Sequence, residues 1–284
     1  MSSSTAGAPV AAVIGWPVKH SRSPLIHRHW LARYGIAGDY VRHAVAPEEI
    51  DGFLANFVGG AFVGANVTVP HKEAAFAAVA RADGVASALG AVNTLWLEKG
   101  ELVGGNTDAL GFLANLDQRS PAFATIEGPA LVLGAGGAAR AVLYALQSRG
   151  FGPIHVVNRS RDRAEALVER FGAPLAVAGW EDVPRLLAEA AIIVNTTSLG
   201  MEGQPPLAID LGPARDDCLV TDIVYVPLET PLLKAARLRG LATVDGLGML
   251  LHQAAPGFER WFGVRPEVTE ELRAVILADM GHAA

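Results

Sequence analysis

The sequence predicts an α/β protein of two domains, the second built on a doubly wound parallel sheet. Three observations carry that prediction. Strand-sized apolar runs alternate with segments of helical period along most of the chain. Between one such strand, 130–133, and the helix that follows stands Gly134-Ala-Gly-Gly-Ala-Ala139, which fits the G-x-G-x-x-G/A turn. That turn begins only at residue 134, so a separate α/β arrangement must occupy the chain before it.

In the first part, strands are expected near 11–15, 40–45, 63–67 and 92–97, with helices near 24–34, 47–57 and 70–80. Pro24 and Pro47 suit a first helical turn, and Ser23 reads as the N-cap before Pro24. A third apolar run ends near Val69, and Pro70 then starts a helix whose first turn contains Lys72. In the second part, strands are expected at 130–133, 154–157, 174–177, 191–194, 219–223 and 242–244. Between the first two, 138–149 reads as a helix in which Val142, Leu143 and Leu146 share a face and Gly150 ends the run. Ala164, Leu167, Val168 and Phe171 repeat that period in the next helix. From Gly246 onward the pattern is mostly helical, with Trp261 and Phe262 as packing residues. The expected division is 1–110 and 111–246, with helices over 247–284, and a cleft between the two domains is the default ligand site.

The glycine turn points to a dinucleotide. Glycine is needed where a turn is tight and where backbone must approach a pyrophosphate, whose charge then faces helix N–H groups. An NAD site carries an acid about 20 residues on, for the ribose 2′-hydroxyl. Here the second strand ends in Asn158-Arg159-Ser160, with Arg161 and Arg163 close behind and no acid at the strand end. Guanidinium groups suit a 2′-phosphate, so the expected cofactor is NADP.

Composition limits the alternatives. In 284 residues, 51% are hydrophobic and 18% charged, as in a folded globular chain. A net charge of -6 argues against nucleic acid or an anionic membrane as partner, because no broad basic surface exists. Cys218 is the single cysteine, which fits a reducing, cytoplasmic setting and packing near a strand start. Met1–Pro9 lacks a basic start and an apolar run, and reads as a frayed tail. The longest apolar runs are strand-sized, so no membrane span is expected.

Lys72 is the best catalytic candidate. A first helical turn is the wrong end of the macrodipole for a cation. A solvated lysine accounts for the position; so does a proton-exchanging group, since functional sites tend to break local rules. Asp108, in Gly104-Gly-Asn-Thr-Asp108, reads as a helix cap or as the carboxylate that orients such a lysine. Ser21, Ser23, Thr68, Asn93 and Thr94 are common turn residues. Their shared place at loops following strands of the first domain suits a polyhydroxylated substrate. Thr196, in Asn195-Thr-Thr-Ser-Leu-Gly200, follows a strand of the second domain and either borders the cofactor or forms a plain turn. His20, His27, His29 and His71 lack metal spacing, so no metal is expected.

Taken in order, Gly15-Trp-Pro-Val-Lys-His-Ser-Arg-Ser-Pro24, Asn66-Val-Thr-Val-Pro-His-Lys72, Gly90-Ala-Val-Asn-Thr94 and Asn106-Thr-Asp108 resemble the shikimate dehydrogenase family. So do the glycine turn through Arg140, Asn158-Arg-Ser160, the 195–200 turn, Asp222-Ile-Val-Tyr225 and Gly246-Leu-Gly-Met-Leu-Leu-His-Gln-Ala254. The resemblance runs from about residue 10 to about 262. It implies an N-terminal α/β domain that binds shikimate, a Rossmann domain that binds NADP, and a C-terminal helical segment returning to the first. By position it implies Lys72 and Asp108 as the catalytic pair, and Ser21, Ser23, Thr68, Asn93, Asp108, Tyr225 and Gln253 as substrate contacts. Cofactor contacts would be Gly134, Ala135, Gly136, Gly137, Ala138, Asn158, Arg159, Ser160, Arg163, Thr196, Ile223 and Gly246. Arg28 stands where members often have Asn, outside the contact set; Gly84 stands where members often carry a polar or acidic residue.

The implied activity is reversible NADPH-dependent reduction of 3-dehydroshikimate to shikimate, in chorismate and aromatic amino-acid biosynthesis, by a monomer or homodimer. Alternatives are a broader quinate/shikimate dehydrogenase, a reductase for another small cyclic carbonyl compound, and a silent NADP-sensing module.

Overall fold

The structure, a computed structural model, describes residues 7–281. The polar start expected as a frayed tail therefore lies outside the described residues as far as Ala6. The chain forms two compact units, one running up to Thr107 and resuming from Gln253, the other Asp108–His252.

The first unit opens with β1 (Val10–Gly15), α1 (Ser23–Tyr34), β2 (Asp39–Ala44), α2 (Ile50–Ala55) and β3 (Gly64–Val67). It continues with α3 (Lys72–Ala78), β4 (Arg81–Ala82), α4 (Gly84–Leu89), β5 (Thr94–Glu98) and β6 (Glu101–Gly105). Its six-stranded sheet has the order β2-β1-β3-β5-β6-β4. The sheet is mixed: β1 runs parallel to β2 and β3, whereas β5 is antiparallel to both β3 and β6. The alternating pattern expected of this part therefore gives way to a hairpin. The strand expected at 92–97 is followed at once by β6, which periodicity missed. Its two-residue loop is Lys99-Gly100, both at positive φ (54° and 82°), the conformation that matches strand twist. Lysine is an unusual first residue there, so the turn carries no Asn-Gly signature.

Three helix starts also differ from expectation. Pro47 lies in a turn closed by Glu49, whose N–H and carboxylate bond Ala46, and α2 begins only afterwards at Ile50. Pro70 and His71 form a turn, and Lys72 is the first residue of α3. Ser23 does not cap α1: it lies inside the helix, and Arg22 occupies the cap position without a side-chain bond.

The second unit contains α5 (Asp108–Arg119), β7 (Ala130–Leu133), α6 (Gly137–Ser148), β8 (Ile154–Val157) and α7 (Arg161–Phe171). Next come β9 (Leu175–Ala178), α8 (Val183–Glu189), β10 (Ile192–Asn195), β11 (Leu219–Asp222), α9 (Pro231–Leu238) and β12 (Ala242–Val244). Every strand pairing is parallel, in the order β12-β11-β10-β7-β8-β9, which is the doubly wound order. Central strands of such a sheet are covered on both faces and should be apolar throughout. All four residues of β7 are buried, as are those of β10 and β11. Leu131, Leu133, Ile193 and Val220 pack with Leu186, Leu187, Leu232 and Leu233 into one core. Cys218 sits fully buried beside the start of β11, and burial pushes its thiol up to about 12.

The chain ends in α10 (Leu247–Phe262) and α11 (Glu270–Asp279). Among the described residues no helix is long and apolar enough to cross a membrane. The carboxyl-terminal half of α10 packs into the first unit. Trp261 donates its indole N–H to the Leu95 carbonyl at 2.9 Å, and Gly64 leaves the room its ring requires. Beside it lies His27, fully buried, its ring stacked on Tyr40 at 3.9 Å between centroids and flanked by Trp30, Phe258 and Trp261.

Neither ring nitrogen of His27 has a hydrogen-bond partner. Burial drives its pKa down from 6.5 to about 3, and the nearby Asn66 side chain opposes this only in part. The folded state thus binds the proton less well than the unfolded chain. Stability is complete above pH 6.5 and is lost as pH falls from 6.5 towards 3, by roughly 4 to 5 kcal/mol if the whole shift is expressed. Denaturant unfolding across that window should show a steep loss in the wild type and a shallower one in His27→Phe; equal slopes would refute the assignment.

Candidate active site

In the second unit, the site begins where β7 ends. Gly134 has φ +111° and leaves the strand directly against the loop after β10. A Cβ here would lie 2.6 Å from Thr196 Oγ1 and 2.9 Å from Thr197 Cγ2. Thr196 clamps the same junction, donating from its backbone N–H and its hydroxyl to the Leu133 carbonyl at 2.8 and 2.9 Å. Gly136 and Gly137 differ: a Cβ on either would meet nothing within 4 Å, and neither has positive φ. Internal packing therefore does not explain those two glycines. What they leave open is the approach to the first turn of α6, whose cap, Gly136, supplies no side-chain hydrogen bond. Unsatisfied N–H groups at a helix start attract anionic oxygen.

Beside that turn is a cavity of about 410 Å³ lined by Ala135, Gly136, Gly137, Arg140, Arg163 and Arg170, among others. Ala138 falls in the first turn of the same helix. After β8, Asn158 Nδ2 donates to the Ser160 carbonyl at 2.8 Å and shapes the turn into α7. Arg161 is engaged by Glu165 at 2.8 Å. Arg159 and Arg163 are exposed and have no ion-pair partner among the described residues. They are the guanidinium groups suited to a phosphate. The cradle, the helix start and the two arginines fit a phosphorylated dinucleotide.

The loops after β10 and β11 are joined by a network not anticipated from sequence. Asp222 is fully buried, and its carboxylate accepts from Asn195 Nδ2 (3.0 Å), Val224 N–H (3.0 Å) and Thr230 Oγ1 (2.8 Å). Burial pushes this carboxyl up, and the three donors hold it down in part. Thr230 also caps α9 through the Leu233 N–H. Ile223 and Tyr225 are half-buried on the loop that Asp222 anchors. Gly246 meets the backbone of Ile223, because a Cβ there would collide with the Ile223 carbonyl oxygen. The signal was present as polar residues ending apolar strands, but their mutual pairing is tertiary.

In the first unit, register gathers the candidates at one end of the sheet. Ile14 pairs with Val67, and Asn66 and Gly105 both pair with Thr94. Ser21 and Ser23 after β1, Thr68 and Lys72 after β3, Asn93 before β5 and Thr107 after β6 thus emerge together. Gly15 permits the approach of β1 to β3, since a Cβ there would strike Thr68 Cγ2. Ser21 donates to the Ser23 hydroxyl at 3.2 Å, and Arg42 binds the Ser21 carbonyl. Lys72 is half-buried, and its carbonyl accepts from the Val92 N–H at 2.9 Å. Asn93 Oδ1 accepts from Thr107 N–H at 2.9 Å and Thr94 Oγ1 at 2.8 Å. Its Nδ2 donates to Thr107 Oγ1 at 3.1 Å, which donates to the Gln253 carbonyl at 2.8 Å. Asp83 caps α4 and also binds the Asn106 N–H, holding the turn before Asp108. Asp108 opens α5, and with Tyr225 it belongs to the second unit.

A doubly wound sheet with an open glycine turn and unpaired arginines defines a dinucleotide-binding unit of the dehydrogenase class. Comparison narrows the class. The family models "Shikimate dehydrogenase substrate binding domain", "Shikimate / quinate 5-dehydrogenase" and "Shikimate 5'-dehydrogenase C-terminal domain" match residues 13–95, 122–201 and 246–277. A shikimate dehydrogenase (NADP(+)) of Azorhizobium caulinodans is 60% identical over 95% of this chain and 96% of its own. The structure of shikimate 5-dehydrogenase from Thermus thermophilus with NADP(H) and shikimate has a TM-score of 0.84 and 39% identity. It covers 95% of this chain and 99% of that one. Quinate dehydrogenase from Corynebacterium glutamicum with NAD has a TM-score of 0.87 and 31% identity, over 96% and 99%. The chain belongs to the shikimate dehydrogenase family.

The two kinds of glycine separate experimentally. Gly134→Ala should lose roughly 1–3 kcal/mol, through strain at φ +111° and the clash with Thr196. Gly136→Ala should leave the Tm near that of the wild type. Calorimetric scans of both variants test this, and a similar drop in each would overturn the distinction.

Proposed function

We propose that the protein is a shikimate dehydrogenase that interconverts 3-dehydroshikimate and shikimate with NADP as hydride carrier. The carrying observation is the cluster of Ser21, Ser23, Thr68, Lys72, Asn93 and Gln253 in one unit of a chain that otherwise holds a phosphorylated-dinucleotide cradle. The kinship to NADP-dependent shikimate dehydrogenases supports the reading. We assign 1–110 with 247–284 to substrate, and 111–246 to cofactor.

Bound NADP supplies the hydride to the ketone and accepts it in the reverse direction. Gly134, Ala135, Gly136, Gly137 and Ala138 would hold its pyrophosphate. Asn158, Arg159, Ser160 and Arg163 would hold the phosphorylated ribose, and Thr196, Ile223 and Gly246 its nicotinamide end. Lys72 gives a proton to the developing alkoxide and takes it back in oxidation, while Asp108 hydrogen-bonds the same hydroxyl. Ser21, Ser23, Thr68, Asn93, Tyr225 and Gln253 orient the ring by neutral hydrogen bonds, which suits a polyhydroxylated acid. With Cys218 buried and reduced, we place the enzyme in the cytoplasm.

A broader quinate/shikimate activity is the second reading, supported by the likeness to an NAD-bound quinate dehydrogenase. Shikimate and quinate should be assayed with NADP and NAD by reduced-nicotinamide absorbance. The proposal expects shikimate with NADP to give the highest kcat/KM, and comparable rates with NAD would remove the role given to Arg159 and Arg163. Lys72→Ala should lower kcat by about 10²–10⁴-fold with little change in KM for shikimate; near-normal turnover would remove Lys72 from the chemistry.

A further inference from the structure

We propose that Tyr40 is a positioning residue for substrate, setting through its hydroxyl the side chain of Asn66 and, through Asn66 and Thr94, that of Asn93. The inference rests on the reading of Asn93 as a substrate contact. Tyr40 has no exposed surface, so it cannot touch a substrate itself. Its ring is held by His27, parallel to within 4°, and by Trp261 at 5.8 Å. That packing leaves the hydroxyl little choice of place.

From there the phenol donates to Asn66 Oδ1 at 2.7 Å. Asn66 Nδ2 donates to Thr94 Oγ1 at 3.3 Å, and Thr94 donates to Asn93 Oδ1 at 2.8 Å. The Asn93 amide then continues to Thr107 and the Gln253 carbonyl, as described above.

The Tyr40 hydroxyl, on β2, thus reaches past β1 to side chains at the adjoining ends of β3 and β5. Donor and acceptor roles are consistent along the row. Because Tyr40 fills Asn66 Oδ1, the Asn66 amide must present its NH₂ to Thr94. Thr94 is thereby left to donate to Asn93. Without the phenol O–H, a buried acceptor loses its partner and the amide orientation is released.

Tyr40→Phe tests this because it keeps the ring and its stack on His27 while deleting the hydroxyl. Expected is a rise of about tenfold in KM for shikimate, the equivalent of one lost buried hydrogen bond, with KM for NADP unchanged. A merely structural role predicts a lowered Tm and parallel drift in both KM values, and either that pattern or an unchanged KM for shikimate overturns the proposal. A cycle with Asn93→Ala gives a second reading. If Tyr40 acts through Asn93, the double variant should fall short of the product of the single effects; full additivity overturns the proposal. Wild-type turnover distinguishes the two levels: its absence overturns the functional reading and this inference together. Normal wild-type turnover with an insensitive Tyr40→Phe overturns only the role of Tyr40.

Discussion

Buried polar side chains at strand ends must find partners, and that constraint organises both units. A polar group removed from water without a hydrogen bond costs roughly 1–3 kcal/mol, and a charged one more. The central strands of the parallel sheet are buried throughout, so Asn195 and Asp222 at their carboxyl ends have no solvent to turn to. They satisfy each other, and through Val224 and Thr230 they bind the next loop and the start of α9. Loops that would otherwise move independently become one surface.

The same rule operates in the first unit with neutral groups. Asn66, Asn93, Thr94 and Thr107 are all buried, and each is an internal partner of another. A binding surface built this way is arranged before ligand arrives, so less ordering remains to be done on binding. Function and stability draw on the same bonds here. By contrast His27 accepts the cost of two unpaired nitrogens and stays neutral within an aromatic cage.

The glycines show how close approach and open space serve different ends. Gly15, Gly134 and Gly246 are occupied on their Cβ side by protein, and each allows one strand-end loop to touch another. Gly136 and Gly137 face no protein atom within 4 Å. A sequence pattern treats these positions alike. The difference between them is one between folding and binding.

Much was legible in the chain alone. Helical and strand periodicity, the glycine turn and the absence of an acid after β8 follow from local chemistry, and local chemistry is what a sequence displays. Periodicity failed at β6 because Lys99 takes a left-handed conformation more often used by Asn or Gly. It failed at Ser23 because a good capping residue was placed one step inside the helix. The type of residue at each candidate position was likewise readable. Which arginines stay available for phosphate was not, since Glu165 engages Arg161 and leaves Arg159 and Arg163. Nor was the part of Tyr40, which lies far along the chain from Asn66 and Asn93. Sequence by itself determined the elements and the chemical repertoire, because both depend on residue type and near neighbours. Only the tertiary structure decided which polar groups satisfy one another, because burial creates that demand and strand register chooses the partners.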